Sequence, residues 1–211
     1  MDLTYTCVDP ATNQYLLRLV FYRDCGGISA PNSVTLTASN NICGAPSSVV
    51  AAQVSSQEVS QLCGTVSSQC GSGTLPGVEE YVYEVLVTLP AGCPALTYSY
   101  DFCCRTGAIT NIPSASFEGT YIETIINTAH PQWNSPCNNS PQFTNIPVLY
   151  SCAGQNAVYT PGAIDPDGDS LVFSLSNPID DNGTALGYTA PFTTNEPMCV
   201  NGNNFSIDPN T

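Results

Sequence analysis

The stretch QYLLRLVFY, residues 14–22, decides the fold class. It is rich in β-branched and aromatic residues, and its alternation puts Tyr15, Leu17, Leu19 and Phe21 on one face. A period of two with one apolar face is the pattern of a half-buried strand. Ser33–Ala38 (SVTLTA) alternates in the same way, with Val34 and Leu36 facing inward and the hydroxyls outward. Glu80–Leu89 (EYVYEVLVTL) is the longest strand candidate, and Ala95–Phe102 (ALTYSYDF) and Gly119–Ile126 (GTYIETII) follow the same style. Leu3–Cys7 (LTYTC) reads as a strand at the start of the chain, and Leu171–Leu175 (LVFSL) and Asn204–Ile207 (NFSI) as strands in the last third. Ser56–Leu62 (SQEVSQL) predicts a single helical turn capped by Ser55 or Ser56, with Glu58 near its positive end. Seventeen prolines and 16 glycines oppose longer helices. Many short strands at regular turn spacing predict an all-β sandwich or barrel.

The 211 residues suffice for one large domain or two small sandwiches. Charged residues make up 9%, against about 25% in ordinary soluble domains. Lys+Arg is 3 and Asp+Glu is 17, a formal charge of -14, and the only bases are Arg18, Arg23 and Arg105. Phosphate contacts need clustered lysine or arginine, so nucleic-acid binding is excluded as an expectation, and anionic membrane surfaces with it. An acidic surface suits divalent cations or a neutral sugar, or serves solubility alone. No apolar run approaches the roughly 20 residues of a membrane span.

Eleven cysteines set the compartment. Their irregular spacing, with an adjacent Cys103-Cys104 pair and a lone histidine at His130, does not fit a zinc site. A disulfide framework in an oxidising compartment fits, so the chain is expected to be exported. The odd count leaves at least one thiol outside an internal pair, and connectivity is not legible. No secretory leader precedes Leu3, so a mature fragment is expected. Arg23, Asp24 and Arg105 each lie near a cysteine and are expected to form salt bridges anchoring the disulfide-rich end, or else to bind a ligand.

The turn-rich stretch Ser135–Pro141 (SPCNNSP) is the best boundary. It divides a Cys-dense part, residues 1–138, from a shorter part, residues 139–211. The second is short for a seven-stranded sandwich of ~100 residues and stops on a turn, Asp208–Thr211, so the natural protein is expected to continue.

The sharpest motif is Asp165-Pro166-Asp167-Gly168-Asp169-Ser170-Leu171. Carboxylates at alternate positions of a tight loop can converge on one cation, and calcium takes 6–8 hard oxygen ligands. An EF-hand is rejected, because Ser170 and Ser176 stand where it needs glycine and a bidentate glutamate. The remaining readings are a calcium site built on Asp165, Asp167 and Asp169, or an acidic β-turn with Asx caps. This loop, the following LVFSL and the later Phe205-Ser206-Ile207-Asp208 resemble a cadherin-like repeat. Asn138-Asn139-Ser140-Pro141-Gln142-Phe143 is similar to the cadherin linker, with Asn138 where cadherins carry aspartate. In that family the linker and the acidic loop jointly hold calcium between domains, which implicates Asn138, Asn139, Asp165 and Asp167.

The pieces LTYTC, Asn13-Gln14-Tyr15, Tyr22-Arg23-Asp24-Cys25, Phe102-Cys103-Cys104-Arg105, Cys137–Phe143 and the Asp165 loop occur in this order. That order resembles the N-terminal region of large surface proteins of gliding bacteria, which often end in a gliding-motility-associated or type IX secretion sorting domain. The resemblance covers essentially the whole chain and implies export, cell-surface attachment and adhesive or filamentous roles. The fold expected is therefore all-β, with two immunoglobulin- or cadherin-like β-sandwich domains, residues 1–138 and 139–211, the second incomplete. The function expected is a non-catalytic extracellular module, adhesive or structural, with a junction rigidified by calcium. Its partners would be an extracellular glycan or protein, or copies of itself.

Two other classes of function are open to the sequence. Tyr98, Tyr100, Tyr121 and Trp133 could form a sugar-stacking face, making a carbohydrate-binding module, or could be ordinary core and strand residues. Filament assembly by strand donation is the other alternative. Enzymatic readings find little: His130 has no nucleophile motif near it, no phosphate loop is present, and Glu79-Glu80 and Asp180-Asp181 read as solvated edges rather than a glycosidase pair.

Overall fold

The computed structural model describes residues 1–63, 65–129, 137–147, 160 and 162–198. Its main element is a seven-stranded sheet: β1 (Asp2–Asp9), β2 (Gln14–Asp24), β3 (Ser33–Ser39), β4 (Ser48–Glu58), β5 (Val78–Thr88), β6 (Leu96–Phe102) and β7 (Thr120–Ile126). In space the order is β1-β2-β5-β4-β3-β6-β7, and every neighbouring pair is antiparallel. The sheet curls until β1 and β7 lie side by side, running in the same direction, so it is nearly closed. One 3-10 turn, Ala115–Phe117, precedes β7. A two-stranded ribbon follows, β8 (Gln142–Phe143) with β9 (Ala163–Ile164).

The alternation read from the sequence drives the curl. Tyr15, Leu17 and Leu19 of β2 are buried while Arg18 between them is exposed. Val34 and Leu36 of β3 point inward as expected, meeting Tyr83, Leu96 and Tyr98 in one core. Burying a leucine in such a core removes apolar area worth roughly 1.5–3 kcal/mol. Two core tyrosines reach main-chain acceptors: the Tyr83 hydroxyl donates to the Pro31 carbonyl at 2.7 Å and that of Tyr98 to the Pro46 carbonyl at 3.0 Å. Each thereby satisfies a polar tip that burial would otherwise leave costly.

Three cysteine pairs tie the curl together: Cys7–Cys137, Cys25–Cys70 and Cys43–Cys93, separated by 130, 45 and 50 residues. On the chain-entropy account each removes roughly 4–5 kcal/mol of freedom from the unfolded state. The fourth pair is Cys103–Cys104, and Cys63 is exposed and unpaired among the described residues.

Two expectations are corrected. Ser56–Leu62 holds no helical turn, because β4 continues to Glu58 in register with Glu79 of β5, and the cross-strand pairing outweighs the local capping signal. Leu171–Leu175 is not a strand: its side chains keep the alternation of half-buried and exposed, but no strand among the described residues pairs with it, and a strand needs a partner. The expected strand at Asn204–Ile207 lies outside the described residues, as do His130, Trp133, Cys152 and Cys199.

Leu17→Ala should cost about 2–5 kcal/mol in urea unfolding. Val50→Ala, at a 61% exposed position on the outer face, should stay within about 0.5 kcal/mol. Alkali is a second probe. Burial pushes the Tyr83 phenol up to about 12, and burial also raises Tyr15, Tyr98 and Tyr100. Raised folded-state values mean stability is full below the ordinary tyrosine range near about 10 and falls as pH rises from there through the Tyr83 value. Melting temperature should fall across that window, together with a rise in tyrosinate absorbance.

Candidate functional site

The acidic loop follows directly after β9, and Asn138, Asn139 and Ser140 stand just before β8. Pairing of Gln142 with Ile164 therefore brings the two ends together. The ribbon is continued by the Thr144 amide on the Gly162 carbonyl at 3.2 Å and the Asn145 amide group on the Thr160 carbonyl at 2.7 Å.

On its other side the linker runs antiparallel to β1. The Ser140 amide donates to the Tyr5 carbonyl at 3.0 Å, and the Tyr5 amide donates to Ser140 Oγ at 2.9 Å. The Cys7 amide donates to Asn139 Oδ1 at 2.8 Å, and the Cys7–Cys137 bridge clamps the same segment. Asn138 Nδ2 donates to the Tyr5 hydroxyl at 3.2 Å.

With that oxygen accepting from Cys7, Asn139 reaches the acidic loop with its N–H donors. Its backbone amide meets Asp167 Oδ2 at 2.6 Å and its Nδ2 meets Asp167 Oδ1 at 2.9 Å. Both oxygens of the carboxylate are thus engaged in charge-assisted bonds by one residue, a fork in which an asparagine does what an arginine usually does. Asp165 turns inward on its own loop, Oδ1 accepting from the amides of Asp167 at 2.8 Å and Asp169 at 3.3 Å. The Gly168 amide donates to the Asp165 carbonyl at 3.2 Å, with Gly168 at φ 84, a conformation costly for any residue with a Cβ. Asp165, Asp167 and Asp169 all act on Tyr5, whose phenol is pushed up first by its burial and further by these three charges.

The structure therefore brings together Asn139 and Asp167 and sets Asn138 beside Tyr5, with Asp165 and Asp169 on the same turn. The donor chemistry, carboxylate and amide oxygen, suits a hard cation such as calcium. Yet among the described residues no group of three or more histidine, cysteine or carboxylate side chains is gathered to hold a metal ion. The Asx turn and the Asn139 fork hold the Asp165 and Asp167 carboxylates in other bonds.

A second attachment lies at the far end of the sheet. The Arg105 Nη2 donates to the Ile179 carbonyl at 2.9 Å, the Tyr121 amide to the same carbonyl at 3.2 Å, and the Thr189 amide to the Asn111 carbonyl at 2.9 Å. Arg23 forms the expected salt bridge, with Glu79 at 2.6 Å, and also donates to the Cys25 carbonyl at 2.9 Å. Asp24 instead caps its own turn through the Gly26 amide. Glu79 is taken by Arg23, Glu80 accepts from Gln57 at 2.9 Å, and the buried Asp180 accepts the amides of Asn182 and Thr184. Tyr98 and Tyr100 are buried in the core and present no stacking face, and Tyr121 is half-buried with its hydroxyl on Glu123. Sequence reasoning missed Tyr5 and Ser140: nothing in LTYTC or the linker marks them, because their roles arise only when the linker returns to β1.

No protein-family model, curated protein or solved structure matches this chain. No helix among the described residues is long and apolar enough to cross a membrane.

Asn139→Ala and Asp167→Ala should each destabilise the chain. A double-mutant cycle should return a coupling of about 0.5–1.5 kcal/mol in thermal or urea unfolding, the net worth of a charge-assisted bond that water can replace. Additive effects would mean the fork contributes nothing to the fold.

Proposed function

We propose that this chain is a non-catalytic extracellular module of a large bacterial cell-surface protein, adhesive or structural. Its parts are read as an immunoglobulin-like sandwich and a cadherin-like unit joined stiffly through the linker. Its partners are an extracellular glycan or protein, or copies of itself. The observation that carries this reading is Asn139, which binds the β1 edge and the acidic loop at once. A joint bonded on both sides resists bending, as a structural or spacing module requires.

The strand order supports the first part of the reading. Lettered in chain order, β1-β2-β5-β4 followed by β3-β6-β7 spells ABED then CFG, the arrangement of immunoglobulin sandwiches, here joined through β3 and β4. Three long-range disulfides favour an oxidising, exported setting.

Calcium is part of the proposal. Asp165, Asp167 and Asp169 stand together against a buried phenol with no lysine in the chain to offset them. A divalent ion taken up by these carboxylates, with Asn138 and Asn139 supporting them, would relieve that repulsion and stiffen the joint. Taking it up requires Asp167 to loosen its fork with Asn139.

A second reading, assembly by strand exchange, is favoured by the ribbon, where Phe143 and Ile164 are 52% and 53% exposed. Dimers or fibres in sedimentation at high concentration, lost in Phe143→Ser, would support it.

Calorimetric titration with calcium, paired with thermal melts, tests the main reading. Saturable binding and a raised melting temperature are expected for the wild type and should vanish in Asp165→Asn/Asp167→Asn. No heat and no shift would remove calcium from the proposal and leave a joint held by amide hydrogen bonds and the Cys7–Cys137 bridge.

A further inference from the structure

The Cys103–Cys104 bridge differs from the other three in what it can do. It joins sequence neighbours, so it closes no loop and takes almost no freedom from the unfolded chain. It is also the one pair among the described residues with both cysteines exposed, since every cysteine of the other three pairs is buried or half-buried. An exposed disulfide is open to thiolate attack. A bridge that staples nothing and faces solvent exerts its effect on the chain beside it.

That chain is the β6–β7 loop on which residues 177–197 dock. Arg105 follows the bridge at once; its amide donates to the Glu118 carbonyl at 2.8 Å, closing the base of the loop, while its guanidinium holds the Ile179 carbonyl. Further along, Asn111 accepts from the Thr189 amide and donates through Nδ2 to the Pro197 carbonyl at 2.5 Å. On the strand side, Phe102 precedes the bridge and packs edge-on against Phe21, with ring centroids 5.4 Å apart. The bridge therefore sits between a fixed aromatic and the arginine that grips the docked segment.

We propose that Cys103–Cys104 is a thiol–disulfide exchange site that sets how tightly residues 177–197 are held against the β6–β7 loop. A thiolate of a dithiol reductant attacks one sulfur, forming a mixed disulfide and releasing the other cysteine as a thiolate that takes up a proton. The second thiol of the reductant then displaces the first cysteine. Two electrons pass: the reductant leaves as a disulfide, and Cys103 and Cys104 become thiols. Opened, the chain at 103–105 regains rotational freedom, and the Arg105–Ile179 bond breaks more often.

The test uses the full chain, with iodoacetamide first blocking every thiol already free, Cys63 among them. Graded dithiothreitol is added, new thiols are trapped with a second, heavier label and located by peptide mass spectrometry, and amide hydrogen exchange is followed in parallel. At the lowest dithiothreitol concentration that opens any of the four bridges, the second label is expected at Cys103 and Cys104 and not at Cys7, Cys25, Cys43, Cys70, Cys93 or Cys137. Exchange at the Tyr121 and Thr189 amides should then quicken by about tenfold or more, with β2 and β5 unchanged. Cys103→Ser/Cys104→Ser should show the quickened exchange without reductant and no further response to it; if that variant does not fold, the wild-type titration decides. Opening of any of the other three bridges first, or opening of Cys103–Cys104 with exchange at Tyr121 and Thr189 unchanged, would overturn the proposal.

Discussion

The outer edge of β1 is the constraint on which the rest of the chain depends. An edge strand exposes a row of amides and carbonyls that must find partners or water. Curling brings β7 alongside, but β7 runs in the same direction as β1. The linker runs the opposite way, and it supplies the partners: the hydroxyl and amide of Ser140 for Tyr5, and the carboxamide oxygen of Asn139 for Cys7. Once the Asn139 oxygen is committed to β1, its backbone amide and Nδ2 point at Asp167, and the acidic loop is drawn to the sheet. The Cys7–Cys137 bridge makes this return covalent. Edge sealing, the linker path and the position of the acidic loop are thus one event.

The scarcity of basic residues gives each arginine a defined place. Arg18 lies across from Glu84 at 3.4 Å on the exposed outer face, a pair worth at most about 1 kcal/mol. Arg23 is more enclosed and combines Glu79 with the Cys25 carbonyl, holding the end of β2 where Cys25 meets Cys70. Arg105 grips a main-chain carbonyl of the docked segment. None is gathered with another, and with 3 basic against 17 acidic residues the charge left over is almost all negative. Stability then rests on the apolar core and the long-range disulfides rather than on ion pairs.

The sheet was legible in the sequence wherever alternation was clean. β2, β3, β5, β6 and β7 fall on the stretches that period-two reading selects, within two residues at their ends. β4 was missed, because SVVAAQVSSQE carries two alanines, few large apolar residues and a local helix-cap signal. Its strand character comes from having β3 on one side and β5 on the other. Leu171–Leu175 erred the opposite way, with good alternation and no partner. At the candidate site the carboxylates and asparagines were legible as residue types, while Tyr5 and Ser140 were not, being 135 positions apart in sequence.

The all-β class, the inward faces of most strands, the acidic character and the disulfide chemistry follow from the residues alone. Each of these is local or compositional: side-chain period, charge count and cysteine count need no knowledge of distant neighbours. Which cysteines pair, that β4 is a strand, that the linker seals β1, and that Asn139 holds Asp167 all came from long-range packing. Those outcomes depend on contacts between residues far apart in the chain, and backbone hydrogen bonding, once its partner is in place, outweighs the weak local preferences that a sequence displays.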